Sequence, residues 1–351
     1  MSNWMLGAVL TIGILFSSAC REEEMTPCSI QDKRLVDGVD FYCGNVVDLH
    51  RMSANLDYAR IVNTQFNSVT AENIMKPAFL HPSENLFHWT EADQLADYCA
   101  SHSKRLHGHT LIWHQQLPPW MLNFRGDQTA WENMMREHIF QIVNHFKGKV
   151  SSWDVVNEAF NDDGTLRNSI WKKNLGSSYL EKAFQYAHEA DPAAKLFYND
   201  YSLVINPVKR KAVLSFLNSL KAKGVPIDGI GLQMHLFNGF PENVEISNAI
   251  DEVWKNDYLV HISELDISIN PFSQALDKAP QEELVRQAEK YLYIFKTYDR
   301  IPASYKFGIT IWGVGDRDSW IRYFYNRADF PLLFDDNYQP KRAYCKLIAD
   351  L

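Results

Sequence analysis

The sequence predicts an α/β protein built as a single (β/α)8 barrel, a TIM barrel with its active site at the C-terminal ends of the strands. Three observations carry that expectation. Eight short apolar runs alternate with longer amphipathic stretches, and eight is the number of parallel strands that closes such a barrel. The runs are nearly continuous in hydrophobicity, as strands covered by helices on both faces are. Seven of them deliver polar or aromatic residues just past their apolar part, which is where barrel enzymes carry their chemistry.

The strand candidates are Phe41–Val47, Ser68–Thr70, Leu106–Ile112, Val150–Val156, Ala194–Tyr198, Ile230–Met234, Val260–Ile262 and Phe307–Ile311. Between them lie helical stretches such as Thr90–Ser103, Trp131–Phe146, Ser178–Ala190, Val208–Lys223 and Gln281–Tyr298. These repeat apolar residues at three- and four-residue spacing, the period of a helix with one buried face. Asp191-Pro192 and Gly224-Val225-Pro226 stop two of them ahead of a strand. No linker, low-complexity tract or repeat interrupts residues 34–351, so one domain is expected there.

Composition narrows the function. With 46% hydrophobic and 22% charged residues the chain reads as an ordinary globular enzyme. A net charge of −8 and the lack of a long basic block argue against nucleic acid as a partner. Aromatic residues make 13% of the chain; most fill the core, but those at strand ends offer flat apolar faces to a sugar. A monomer is expected.

The first 20 residues read as an export signal. Trp4 to Phe16 is apolar apart from Thr11, followed by Ser17, Ser18, Ala19 and Cys20. A run of about 13 residues is too short to span a membrane and fits the apolar part of a signal peptide. Small residues leading into Cys20 resemble a bacterial lipoprotein signal, which implies membrane attachment through a lipidated Cys20. No Lys or Arg precedes the run, and Ser17 stands where that pattern prefers Leu; secretion with cleavage after Ala19 is the alternative. Either route places the protein in the cell envelope or outside the cell. Residues 21–33 (REEEMTPCSIQDK) are polar and acidic, and read as a tether. Cys28, Cys43, Cys99 and Cys345 show no metal-ligand spacing. Buried free thiols are expected, although export would permit one pair to oxidise, and the sequence does not choose it.

Glu158 ends the run WDVVNEAF and Glu264 lies in VHISELDI. Two carboxylic acids at strand ends with unlike neighbours suit glycosidic bond cleavage, in which one protonates the leaving oxygen and the other attacks carbon. A single such glutamate is better read as a capped or paired strand-end acid. The pair, within its surroundings, is not.

Those surroundings are VTAENIMKP (Val69–Pro77), GHTLIWHQQLPPW (Gly108–Trp120), WDVVNEAF (Trp153–Phe160), FYNDY (Phe197–Tyr201), GLQMHL (Gly231–Leu236), ISELDI (Ile262–Ile267), TIWGVGDRDSW (Thr310–Trp320) and PLLFDDNYQPKRAY (Pro331–Tyr344). In this order and spacing the sequence resembles glycoside hydrolase family 10, the retaining endo-β-1,4-xylanases. The resemblance implies that Glu158 is the general acid/base and Glu264 the nucleophile, with xylan and xylo-oligosaccharides as substrates and no cofactor. Retention requires the two carboxyl groups roughly 5–5.5 Å apart. Glu264 has to be ionised to attack. Glu158 has to hold a proton when substrate binds, which a partly dry pocket and a neighbouring anion favour.

The resemblance also implies roles for the residues around them. Asn157 is suited to the sugar 2-hydroxyl, His235 to holding Glu264, and Gln233, two residues earlier and so on the same strand face, to the acid/base side of the cleft. Glu72, Asn73, Lys76, His109 and Gln116 match ligands of the sugars on the non-reducing side; Lys76 is followed by Pro77 where the family commonly has an aromatic residue. Trp113, Trp312 and Trp320 match tryptophans that wall those sites, and Tyr201 is a candidate for the aglycone side. Trp89, Trp120, Trp153 and Trp171 read as packing. Loops Asn238–Glu245 and Asn270–Ala279 are expected to govern tolerance of branched chains.

Three other features invite chemistry and are read as structure. His107-Gly108-His109 points two imidazoles to one strand face, but on the third strand and without a further ligand set, so no metal is expected. Asp154 and Asp266, the latter placed past its strand end, read as structural acids paired with nearby donors. Asp162-Asp163-Gly164 reads as a turn. Two alternatives to a xylanase remain: a retaining glycosidase acting on another β-1,4 glycan, and a glycan-binding lipoprotein without catalysis. Survival of both carboxylates, Asn157 and His235 speaks against the second.

Overall fold

A computed structural model describes residues 28–30 and 33–351 of the chain. The export segment with Cys20 and most of the acidic tether lie outside the described residues. The described residues form nine strands: β1 (Cys43–Val47), β2 (Ser68–Ala71), β3 (Arg105–Ile112), β4 (Ser152–Asn157), β5 (Lys195–Asp200), β6 (Gly229–Leu232), β7 (His235–Phe237), β8 (Leu259–Ser268) and β9 (Lys306–Ile311). Their order is β6-β5-β4-β3-β2-β1-β9-β8, with β8 pairing back onto β6, so eight of them close a parallel barrel. The ninth, β7, is a short extension beyond β6 that pairs with the far end of β8.

Helices follow the strands and cover the barrel, among them Thr90–Ser101, Gln128–His145, Tyr179–Ala190, Pro207–Lys221, Asn243–Lys255, Gln281–Asp299 and Arg342–Asp350. Several begin where a short polar side chain accepts a first-turn N–H: Asp127 from Ala130, Ser169 from Lys172 and Asn206 from Lys209. Each such cap contributes about 1 kcal/mol. Their inward faces bury residues such as Leu180, Ala183, Phe184 and Ala187 at helical spacing against strands whose side chains are also buried. On β3, Gly108 lets the Trp153 ring lie against the sheet: a Cβ there would sit 2.1 Å from Trp153 Cε3.

Two sequence expectations need correction here. Strand β8 runs to Ser268, so Asp266 lies within it and not past its end; the polar residues that interrupt the apolar run face the barrel mouth, where β7 and β9 still supply pairing partners. Gln233 and His235 do not share one strand. Met234 between them has φ 54°, a left-handed conformation that ends β6 and starts β7 afresh. The Asp162-Asp163-Gly164 turn is present, with Gly164 at φ 82° and Asp163 Oδ1 accepting from Thr165 N at 2.9 Å.

The expectation of free thiols holds for Cys43 and Cys99, both buried, and fails for the other two. Cys28 and Cys345 form a disulfide with Cα atoms 5.6 Å apart. It fastens the end of the tether to the last helix. There Gln65 Nε2 donates to Ile30 O at 3.2 Å, and the Tyr344 hydroxyl lies between Lys33 O (3.0 Å) and Gln65 Oε1 (2.8 Å). The bridge spans 317 residues, and a loop that long constrains the unfolded chain by on the order of 5 kcal/mol. Cys345→Ser is expected to lower the melting temperature by several degrees in a thermal scan. An unchanged melting temperature would mean that residues 28–33 are no part of the cooperative unit.

Candidate active site

The C-terminal ends of the strands surround a cleft of about 800 Å³. All the residues singled out in the sequence line it: Glu72, Asn73, Lys76, His109, Trp113, Gln116, Asn157, Glu158, Tyr201, Gln233, His235, Glu264, Trp312 and Trp320. Asn238 and Gly239 of loop Asn238–Glu245, with Asn270, Pro271 and Phe272 of loop Asn270–Ala279, line a second hollow.

Glu264 is buried on β8 and held by two donors. His235 Nε2 lies 3.1 Å from its Oε2, and Asn199 Nδ2 donates to its Oε1 at 2.8 Å. Behind His235, Nδ1 lies 2.9 Å from Asp266 Oδ2, which also accepts from Trp320 Nε1 at 2.8 Å. Burial acts against charge on His235, but Asp266 and Glu264 flank it and raise its pKa to about 10. The imidazolium therefore donates from both nitrogens. Burial pushes the Glu264 carboxyl up; the His235 hydrogen bond, the charges on His109 and His235, and the Asn199 bond outweigh it and hold the pKa below the usual range. Asp266, by contrast, is raised by burial.

A depressed carboxyl keeps its charge as pH falls, until its own lowered pKa is crossed. In His235→Asn the cation is gone, so Glu264 takes up its proton at higher pH. The acid limb of the kcat/KM profile is expected to move to higher pH in this variant; an unmoved limb would show that His235 does not set the charge of Glu264.

Glu158 follows β4 and has different company. Trp113 Nε1 donates to its Oε2 at 2.8 Å, and Gln233 Nε2 to its Oε1 at 3.1 Å. Both donors are neutral, whereas Glu264 faces an imidazolium. The two carboxyl groups thus meet the requirement of unlike environments for unlike roles. Glu158 has φ 54°, and its backbone is gripped on both sides: its N–H donates to Asn199 O at 2.8 Å and its carbonyl accepts from Arg167 Nε at 3.1 Å.

The remaining walls carry hydrogen-bonding groups, among them the ionisable Glu72, Lys76 and Arg167, and aromatic faces, as a polyol site needs. Lys76 is buried with Nζ 3.2 Å from Asn73 Oδ1 and 5.5 Å above the Trp113 ring. Burial lowers its pKa against the pull of Glu264, Glu72 and Glu158. Pro77 is accounted for: it begins the short helix Pro77–Leu80, a position where its missing N–H costs nothing. The Trp113 indole N–H is committed to Glu158. His109 Nδ1 lies 2.8 Å from Asp154 Oδ2, so Asp154 pairs as expected. Below it His107, Asp154 and His261 form a buried layer whose ligand atoms lie within 4.8 Å of one another; Ser152 and Thr310 hydroxyls hold the outer nitrogens of the two histidines.

Asp266 pairs with the donors His235 and Trp320, as expected. Sequence reasoning missed three residues here. Asn199, inside FYNDY, bridges Asn157 Oδ1 (2.9 Å) and Glu264; its strand-end position was the available signal. Arg167 reaches the Glu158 carbonyl from a loop that has no periodic signature. Phe324 is an exposed aromatic on the rim, next to Trp320.

Comparison with known proteins agrees with this geometry. The sequence profile of Glycosyl hydrolase family 10 matches residues 33–350. An endo-1,4-beta-xylanase of Geobacillus stearothermophilus is 38% identical over 333 residues, covering 91% of this chain and 98% of that protein. The structure of xylanase 10B from Thermotoga petrophila RKU-1 in complex with xylobiose superposes with a TM-score of 0.84 at 34% identity, over 92% of this chain and 97% of that one. Exoglucanase XynX of Acetivibrio thermocellus is 37% identical over 317 residues, 87% of this chain. The chain spans about a quarter to a half of the length of the first curated relatives it matches. With the profile running from the end of the tether to the last helix, and its motif residues converging on one barrel mouth, the chain belongs to glycosyl hydrolase family 10.

Proposed function

We propose that the protein is an endo-β-1,4-xylanase that hydrolyses internal bonds of xylan with retention of configuration. The observation that carries this is the pair of carboxyl groups in one cleft, Glu264 held by His235 and Asn199, and Glu158 held by Trp113 and Gln233. Glu264 attacks the anomeric carbon as Glu158 gives its proton to the leaving oxygen, and a glycosyl ester forms on Glu264. Glu158, now a carboxylate, takes a proton from water as that water attacks the same carbon. The ester bond breaks, and Glu264 is free again.

Names of relatives support xylan as substrate, and the aromatic walls of the cleft offer flat apolar faces to a sugar polymer. Product analysis on plain xylan tests reaction, substrate and endo-action together: short xylo-oligosaccharides of mixed length are expected from the start, and xylose alone as the first product would contradict endo-action. A second reading, action on β-1,4-glucan, draws on the exoglucanase relative. Turnover of xylan and a soluble β-glucan side by side separates the two.

Export, with Cys20 lipidated and the enzyme tethered to a membrane as a monomer, belongs to the same proposal. The Cys28–Cys345 disulfide supports it, since such bridges persist in oxidising compartments outside the cytosol. Incorporation of labelled fatty acid, lost in Cys20→Ser, tests lipidation against plain secretion.

A further inference from the structure

The acid/base sits on a strained residue whose neighbours tie it to a buried charged unit outside the cleft. The Ala159 N–H, directly after Glu158, donates to the Tyr198 hydroxyl at 3.1 Å. That hydroxyl in turn donates to Asp200 Oδ2. The other oxygen, Oδ1, accepts from Lys209 Nζ at 2.7 Å and from Tyr201 N at 2.9 Å. Tyr198, Asp200 and Lys209 are all fully buried, so neither charge has water to fall back on. Burial raises the Asp200 pKa to about 7, yet each of these partners donates to it, so the carboxylate is the form they hold.

The same unit reaches Tyr201, which also lines the cleft. Lys209 Nζ lies 3.5 Å from the centre of the Tyr201 ring, a contact that fixes the ring by cation–π attraction. Arg167 closes the circuit: Nη2 donates to the Tyr201 hydroxyl at 2.8 Å while Nε donates to Glu158 O at 3.1 Å. One buried ion pair thus stands behind both Glu158 and the Tyr201 ring, two neighbouring groups of the cleft wall.

We propose that Tyr198, Asp200 and Lys209 form a positioning unit that keeps Glu158 and Tyr201 in register, so that proton delivery and leaving-group binding depend on one buried structure. The inference rests on the acid/base assignment of Glu158. Its function is geometric, because a misplacement of about 1 Å at a reacting group can cost on the order of a hundredfold in rate. None of the three touches substrate, and none is a catalytic residue.

The test compares two variants, Tyr198→Phe and Lys209→Met, with the wild type and Glu158→Ala. Each acts on an aryl xylobioside with a good leaving group and on an unactivated xylo-oligosaccharide. Tyr198→Phe keeps the ring and removes the one hydroxyl that accepts from Ala159 and donates to Asp200, so it decides the matter alone if Lys209→Met does not fold. The expected result is roughly a tenfold or greater fall in kcat/KM on the unactivated substrate, with kcat/KM on the aryl substrate, which reports only the first step, changed by less than about twofold. Equal loss on both substrates would reduce the unit to general packing and overturn the inference, and so would no loss on either. Should Glu158→Ala itself lack the split, the acid/base assignment fails first.

Discussion

Glu264→Ala is expected to abolish hydrolysis of xylan, with kcat falling by about 10⁴-fold or more, on the scale of losing a nucleophile. The chemistry leaves no substitute: the neighbouring Asp266 is turned to His235 and Trp320. Substrate affinity should be nearly unchanged, because Glu72, Asn73, Lys76 and the tryptophan walls are untouched. Removing one buried carboxylate leaves His235 with a single acidic partner, so the melting temperature needs to be checked alongside. A folded Glu264→Ala protein that released xylo-oligosaccharides at the wild-type rate would sink the nucleophile assignment.

Glu158→Ala is expected to act selectively. General acid catalysis contributes about 10²- to 10⁴-fold, and the contribution matters only where the leaving group needs a proton. First-step rates on an activated aryl glycoside should survive, while turnover of xylan should fall by about a thousandfold. Breakdown of the glycosyl ester should also slow, since the same carboxylate draws the proton from water. The ester is then expected to accumulate as a burst of aryl alcohol. Equal loss on activated and unactivated substrates would show that Glu158 has some other task.

The barrel was legible because its signals are local. Strands such as Leu106–Ile112 and helices such as Thr90–Ser103 are found within a few residues of their positions, since period and punctuation are written in the chain itself. Residues at strand ends were legible for the same reason. What escaped depends on geometry that no short window contains. The left-handed turn at Met234 separated Gln233 from His235, and each went to a different carboxyl group. The polar stretch of β8 hid a strand that continues because its partners do. Cys28 and Cys345 lie at opposite ends of the fold's sequence, and only the docking of the tether on the last helix joins them. The Lys209–Asp200 pair was invisible because a lysine within an amphipathic helix reads as solvated, yet it is fully buried.

Everything functional in this account requires Glu264 to become the covalent carrier of the sugar within reach of Glu158. The direct measurement is to incubate the enzyme with a 2-deoxy-2-fluoro xylobioside bearing a good leaving group, which slows ester breakdown, and then to locate the adduct by peptide mass spectrometry. A glycosyl mass on the peptide containing Val260–Ile267, assigned to Glu264 by fragmentation, is the predicted result. Prompt turnover with no adduct, or a label on any other side chain, would contradict it.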